Sequence, residues 1–370
     1  MNTSSDRPAL RINSVPALLA AIPPLLGFTP EASLVIVGAT AGGGVQIAFR
    51  YDLPDPPDTA LAADIAGHAV GVLTHQKLTI AIAVGYGPGR LTTPLADALR
   101  AAAPRARIML HDMLRVQESR YWSYLCTNPG CCPAEGVPFN PATHPAARRL
   151  AATGQPVLPS RDALAATIAP VTGPAAETMR QATRQAERSA SRLIARRGPD
   201  ALDRPGLTAV RAAIVLYRDG QAIVPAIGYS WLTVVLTRLR IRDDAWARMD
   251  PAHRDAHRRL WTDLVRRAQP GYVAAPACLL AFTAWQGGQG ALANLALERA
   301  LADDPGYSMA LLLRDILAAG TPPSAATPPL TPEQVADSYA TAPQLKSGSG
   351  QAPDANDASA ATGDPDASST

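Results

Sequence analysis

Residues 78–84 (LTIAIAV) decide the fold, because an almost unbroken apolar run of this length fits a strand that is buried on both faces of a sheet. Residues 33–37 (SLVIV) form a second run of this kind, and residues 45–51 (VQIAFRY) alternate as an antiparallel strand does. Between these strands, residues 58–73 show the spacing of an amphipathic helix. Strands that alternate with helices and include one hairpin predict an α/β layer with a mixed sheet.

The elements after residue 84 are predicted from capping residues and short apolar runs. A helix is expected to begin at Thr92 or Thr93, with Pro94 in its first turn. Residues 107–110 and 114–117 are expected to form two short strands.

The second half of the chain loses the strand signal after about residue 140. Helical patterns replace it at residues 145–152, 161–168, 175–197, 207–218, 223–240, 252–268, 276–286, 291–302 and 309–318. The last three resemble a tetratricopeptide helix pair in their order of small and aromatic residues, namely Trp285, Gly287, Gly288, Ala293, Ala296, Ala300 and Tyr307. About one and a half such units are present, and a free-standing solenoid needs about three. We therefore expect a cap on an all-helical C-terminal half.

Charge and composition divide the chain into three parts. We predict an α/β domain with a Cys-rich loop at residues 1–140, a helical domain at 141–320 and a disordered tail, rich in Pro and Ala, at 321–370. The net charge of the whole chain is +3. The tail carries −5 of it, so residues 1–320 carry +8. It has few large apolar residues with which to offset the entropy of ordering.

Membrane and secreted classes are disfavoured by the composition. The longest uncharged window, residues 220–237, contains Pro225 and Gly228 and falls short of the 20 or so predominantly apolar residues that span a bilayer. Four cysteines in a chain of 370 residues, three of them crowded together, do not make a secreted disulfide framework. We expect a cytoplasmic protein.

Residues 120–136 (RYWSYLCTNPGCCPAEG) form the most specific motif of the chain. Further distinctive strings are LLGFTPEASLVIV at 25–37, YDLP at 51–54, VGYG at 84–87, AWQGGQGALA at 284–293 and DPGYSMALLL at 304–313. Together they strongly resemble an actinobacterial family known as domain of unknown function 4192, over roughly residues 8–320. The resemblance implies no activity, substrate or cofactor, because the family has none established.

Three cysteines of this motif suggest chemistry. Cys126, Cys131 and Cys132 surround an Asn-Pro-Gly turn that can bring Cys126 near either later thiol. Three interpretations stay open: structural loop thiols, a redox or disulfide pair, and a zinc site. A zinc ion would need a fourth ligand, for which the nearby candidates are His111, Asp112 and His144.

The other residues of the candidate functional loop are Arg120, Trp122, Tyr124 and Glu135. Arg120 beside the thiols would lower their pKa and could bind a carboxylate or phosphate, or it could pair with Glu118 or Asp52. Trp122 and Tyr124 alternate along a strand and share one face, which favours core packing.

Two helical patterns carry charge outside this loop. The basic ridge consists of arginines every four residues and is expected to be a solvated face; its members are Arg180, Arg184, Arg188, Arg192 and Arg196. His253 and His257, also four apart, are likewise expected on a solvated face.

No complete catalytic set stands out, and this shapes the functional expectation. We expect a non-enzymatic interaction or regulatory protein with an unidentified protein partner and no membrane association. The first alternative is a thiol- or metal-dependent enzyme or redox sensor that uses residues 120–132. The second is a nucleic-acid-binding protein that uses the basic ridge.

Overall fold

The computed structural model describes residues 14–40, 44–141, 144–145 and 157–341. Its N-terminal half contains a six-stranded mixed sheet in the order β2-β1-β3-β4-β5-β6. The strands are β1 Ser33–Ala39, β2 Val45–Asp52, β3 Ile80–Tyr86, β4 Met109–Gln117, β5 Arg120–Ser123 and β6 Val137–Pro138. Strands β3 and β4 pair in parallel, and the other neighbours are antiparallel.

Helices cover both faces of this sheet, as the apolar runs predict. They are α1 Val15–Leu26, α2 Thr59–His75 and α3 Gly89–Ala102. Leu34 and Ile36 of β1 face the core under α2 and α3, while Val35 and Val37 face α1 on the other side. Because every residue of β1 is buried, its sequence is apolar on both faces instead of alternating.

Two predictions in this half are wrong in detail. Helix α3 begins at Gly89 rather than at Thr92 or Thr93, because the fully buried Thr92 hydroxyl points inward and contacts the Tyr124 hydroxyl at 2.8 Å. The two short strands expected at 107–110 and 114–117 are the single strand β4. Its pairing with β3 skips His111, so a β-bulge accommodates the polar residues that interrupt the apolar run.

The second half is helical, as predicted. Its helices are α4 Arg161–Ala166, α5 Gly173–Arg197, α6 Asp203–Arg218, α7 Ala226–Val235, α8 Leu239–Ala247, α9 Arg254–Arg267, α10 Ala274–Gln286, α11 Gly290–Asp303, α12 Ser308–Ala318 and α13 Pro332–Thr341. The helix predicted at 145–152 lies almost wholly outside the described residues. Among the described residues, no helix is long and apolar enough to cross a membrane.

One predicted helix of this half is in fact two. The pattern at 223–240 is divided into α7 and α8 at Arg238, whose backbone is extended. The Arg238 guanidinium binds Asp203 at 3.2 Å and Asp200 at 2.9 Å. These contacts come from distant parts of the chain, so local periodicity does not reveal the break.

Helices α10 and α11 form the pair predicted from small residues. Ala293, Ala296 and Ala300 are completely buried, which allows α11 to lie close against α10. Every residue of α10 is buried, and the Trp285 indole donates to the Thr321 carbonyl at 3.0 Å. The pair is thus part of the core of the helical half, consistent with a cap rather than an open groove.

Residues 321–341 differ from the predicted disordered tail because they include α13. Thr331 and Gln334 cap this helix reciprocally, since each side chain bonds the backbone N–H of the other. Val335 is buried, and the Tyr339 hydroxyl donates to Asp243 at 2.7 Å. The prediction of disorder therefore does not hold for these residues, and residues 342–370 lie outside the described part of the chain.

His257 of α9 is buried, so the expectation of a solvated face fails for this residue. Its Nε2 atom lies 3.5 Å from the Arg218 guanidinium, and burial together with that cation lowers the pKa of His257 to about 4. His253 is exposed as expected and contacts Asp250 at 3.0 Å.

The buried His257 predicts a loss of stability in acid. The unfolded chain takes up a proton near pH 6.5 and the folded chain only near pH 4, so the free energy of unfolding falls as pH drops through this window. Between about pH 7 and 5 the fall due to His257 is about 2 kcal/mol. Urea unfolding at both pH values should show that His257→Gln removes this part, whereas the exposed-residue control His75→Gln keeps it. Equal pH dependence in the two variants would contradict the prediction.

Candidate functional site

The part of the candidate functional loop that follows β5, residues 124–136, is called the thiol loop. It leaves the sheet after β5, and the chain then returns to pair with β5 through β6. Two side chains of β5 close it. Arg120 donates to the carbonyls of Gly136 at 2.8 Å and Glu135 at 3.3 Å, and the Trp122 indole donates to the Ala134 carbonyl at 3.0 Å. The predicted site residues Arg120, Trp122 and Glu135 thus hold the ends of the loop together.

Arg120 therefore has a different role from the predicted one. Its guanidinium donates to backbone carbonyls, and neither predicted acidic partner, Glu118 or Asp52, pairs with it. Asp52 binds Arg50 instead, and Glu118 accepts a hydrogen bond from Gln117 at 3.2 Å.

The predicted core packing is found for Tyr124, whereas Trp122 stacks against a charged side chain. The Arg115 guanidinium stacks 3.9 Å above the centre of the Trp122 ring, and Gly136 also lies against this ring. The Tyr124 hydroxyl contacts Thr92 at 2.8 Å and Thr93 at 3.0 Å, and its ring packs against the core under α2 and α3. These contacts fix the direction in which the chain leaves the sheet.

The first thiol is positioned by a small polar network. The Ser123 hydroxyl accepts from the Cys126 N–H at 3.0 Å and donates to the Asp112 carboxylate at 2.7 Å. Asp112 lies on the neighbouring strand β4 and accepts this hydrogen bond. Cys126 is thus tied to the sheet although it lies in the loop.

The other two thiols are positioned by the predicted Asn-Pro-Gly turn. The carbonyl of Asn128 accepts from the N–H groups of Cys131 at 3.2 Å and Cys132 at 2.8 Å, while its side chain accepts from Gly130 at 2.9 Å. This turn folds the chain back onto Cys126.

The three sulfur atoms consequently form one cluster. The Sγ atoms of Cys126 and Cys131 are 3.2 Å apart, those of Cys131 and Cys132 are 3.8 Å apart, and all three lie within 4.8 Å of one another. Cys131 is exposed, and Cys126 and Cys132 are half-buried.

The cluster divides the thiols by acidity. Hydrogen bonds from the Cys131 thiol and the Asn128 backbone lower the pKa of Cys126. The hydrogen bond with Cys126 raises the pKa of Cys131. A hydrogen bond of Cys132 with Cys126, together with burial, raises the pKa of Cys132 to about 12. Cys126 is thus the favoured thiolate, with two thiols beside it.

A metal ion at this cluster would have three protein ligands. Among the described residues, the thiols of Cys126, Cys131 and Cys132 form the metal-ligand cluster, and the predicted fourth ligands His111, Asp112 and His144 do not belong to it. A fourth ligand would have to come from solvent or another molecule. The fourth cysteine of the chain, Cys278, is buried in α10.

Sequence reasoning missed two residues that build this site, Ser123 and Gly136, and it gave Asp112 a different role, that of a possible zinc ligand. Ser123, Asp112 and Gly136 act through contacts between strands or across the loop. A Ser three residues before Cys126 is a local signal for the hydrogen bond to its N–H. No local signal identifies the hydrogen bond between Ser123 and Asp112 or the contact between Gly136 and Trp122.

Comparison with known proteins identifies the family. The model of the family described as Domain of unknown function (DUF4192) matches residues 16–324. The chain belongs to this family. The DUF4192 match covers the sheet, the thiol loop and the helical half through α12, whereas α13 lies beyond it. No curated protein and no solved structure gives a significant match.

Gly136 is predicted to be required for loop closure. Its φ is +79°, and a Cβ atom there would lie 2.5 Å from the Trp122 ring. Gly136→Ala should lower the free energy of unfolding by at least about 2 kcal/mol, from the left-handed backbone and the clash together. Gly67→Ala is the control, because the space around it in α2 is open and alanine favours a helix. Urea unfolding that ranks the two variants equally would contradict this role.

Proposed function

We propose that this member of the DUF4192 family is a regulatory protein that senses oxidation through Cys126 and Cys131. The observation that carries the proposal is the 3.2 Å separation of their sulfur atoms in a surface loop. A disulfide requires about 2.05 Å, so the two atoms need to approach by only about 1 Å. The bond can therefore form without rearrangement of the sheet.

The cluster supplies the parts that such a reaction needs. The Cys126 thiolate attacks a hydroperoxide, the O–O bond breaks, and sulfenic acid forms on Cys126 while hydroxide or alkoxide leaves. The Cys131 thiol then attacks this sulfur, which creates the disulfide and releases water. Two electrons pass from the two sulfurs to the peroxide, and a dithiol reductant restores the starting state.

The surroundings of the thiols favour regulation over turnover. The thiols lie on an exposed loop, whereas a cleft of about 330 Å³ lies in the helical half, lined by residues that include Arg211, Arg218 and Asp250. A disulfide on an exposed loop is accessible to another macromolecule. We propose that a protein partner, still to be identified, distinguishes the two states without membrane attachment.

The proposal includes a cytoplasmic location and an actinobacterial origin. A reducing compartment keeps thiols of this kind free until an oxidant arrives. All four cysteines of the chain are free. The actinobacterial origin rests on the resemblance of the motif at residues 120–136.

A second candidate function is the binding of zinc by the same loop. A tetrahedral zinc ion with bonds of about 2.3 Å separates its sulfur ligands by about 3.8 Å. The distance between Cys131 and Cys132 fits this value, and the distance between Cys126 and Cys131 is shorter. Zinc would need all three thiolates, whereas the disulfide needs two.

The proposed oxidation predicts a specific loss of thiols. After treatment of the reduced protein with hydrogen peroxide, Ellman's reagent in denaturant should find two of the four thiols lost, and dithiothreitol should restore them. Cys132→Ser should lose two thiols at the same rate. Cys126→Ser should lose none at matched peroxide. If Cys126→Ser still loses a pair of thiols, or the wild type loses none, the proposal is wrong.

The variant Cys132→Ser also distinguishes zinc binding from oxidation. Titration of the reduced protein with Zn²⁺ should give one bound ion if the second candidate is correct, and Cys132→Ser should weaken that binding by at least about tenfold. Unchanged zinc affinity in Cys132→Ser would exclude the three-thiolate site.

A further inference from the structure

The basic ridge on α5 is exposed along its whole length, as its periodicity predicts. Its two ends differ in their partners. Near the start of the helix, Glu177 hydrogen-bonds Arg180 at 3.0 Å and lies 3.9 Å from Arg184. The positive charge there is partly compensated.

The last three arginines of the ridge, Arg188, Arg192 and Arg196, form a different surface, which we call the arginine triplet. Within the part of the chain that the structure describes, no carboxylate lies within 4 Å of any of them. The nearest acidic residue in sequence, Glu187, instead accepts a hydrogen bond from the Tyr272 hydroxyl at 2.8 Å.

The triplet contrasts with many other arginines of the helical half, which pair with acidic residues. Examples are the pairs Arg211–Asp244, Arg238–Asp203, Arg240–Asp203, Arg242–Asp243 and Arg267–Asp263. The arginine triplet is therefore available for anionic groups from outside the chain.

The helix spaces these guanidinium groups regularly. Residues four apart rise about 6 Å along an α-helix and turn by about 40°, so the three side chains follow one flank over about 12 Å. A row of guanidinium groups at this spacing suits an anionic polymer better than a single small ion. Guanidinium also binds phosphate oxygens in a bidentate manner.

The reverse side of α5 argues against a membrane as the ligand. Met179, Ala182, Ala186 and Ala190 are buried, the last two in a cluster with Val234 of α7. An interfacial helix must insert its apolar face among lipids, and here that face is already covered by protein.

We propose that the arginine triplet binds the phosphate backbone of nucleic acid without reading its sequence. The contacts are ionic, so affinity depends on salt through the release of counterions. Three phosphate contacts predict a slope of about −2.7 in the logarithm of the association constant against that of the salt concentration, for duplex DNA. This surface is independent of the thiol loop, so either proposal can fail alone.

Fluorescence anisotropy with a labelled DNA duplex of arbitrary sequence tests the proposal on the full chain. Binding should weaken between about 50 and 200 mM salt with the stated slope. Arg188→Glu, Arg192→Glu and Arg196→Glu combined should weaken binding by about 100-fold or more at low salt and abolish most of the slope.

The matched control reverses three arginines outside the triplet, the exposed Arg100 and Arg314 and the half-buried Arg258, as Arg100→Glu, Arg258→Glu and Arg314→Glu. Each of these has an acidic neighbour, and the change in net charge is the same. The control should stay within about threefold of the wild type. No binding by the wild type at low salt, equal losses in the two variants, or equally tight binding of polyglutamate would overturn the proposal.

Discussion

Burial of β1 and β3 on both sheet faces is the constraint on which the N-terminal half depends. Apolar side chains of β1 alternate between the core under α2 and α3 and the core under α1, so neither helix layer can be removed without exposing the strand. With β1 already paired on both sides, the sheet extends from the free edge of β3 through β4 and β5. The thiol loop therefore lies at the sheet edge, beyond the covered strands.

The loop itself is held by polar and aromatic contacts instead of an apolar core. Arg120 and Trp122 bind backbone carbonyls at its far end, and Ser123 links Cys126 to β4. Such contacts keep the sulfur atoms close while leaving them near solvent. That combination suits reversible thiol chemistry, which needs proximity and access together. The helical half carries a separate, positively charged surface, the arginine triplet, on α5.

The sequence was sufficient for elements with strong local patterns. The buried strands, the amphipathic helices and the helix pair of α10 and α11 all follow from periodicity and small residues. Failures occur where tertiary contacts decide: Thr92 turns inward toward Tyr124, and Arg238 ends α7 by binding Asp203. The motif at 120–136 indicated the loop in which the three sulfur atoms lie together. The hydrogen bonds of Arg120 go to carbonyls 15 and 16 residues away, which only the folded chain brings close.

The proposed response to oxidant is a disulfide between Cys126 and Cys131. Peptide mapping by tandem mass spectrometry, under nonreducing conditions after peroxide treatment and alkylation, identifies the bonded cysteines directly. We expect a disulfide within one chain between Cys126 and Cys131, with Cys132 and Cys278 alkylated. A bond between Cys131 and Cys132, a bond between chains, or four alkylated cysteines would contradict it.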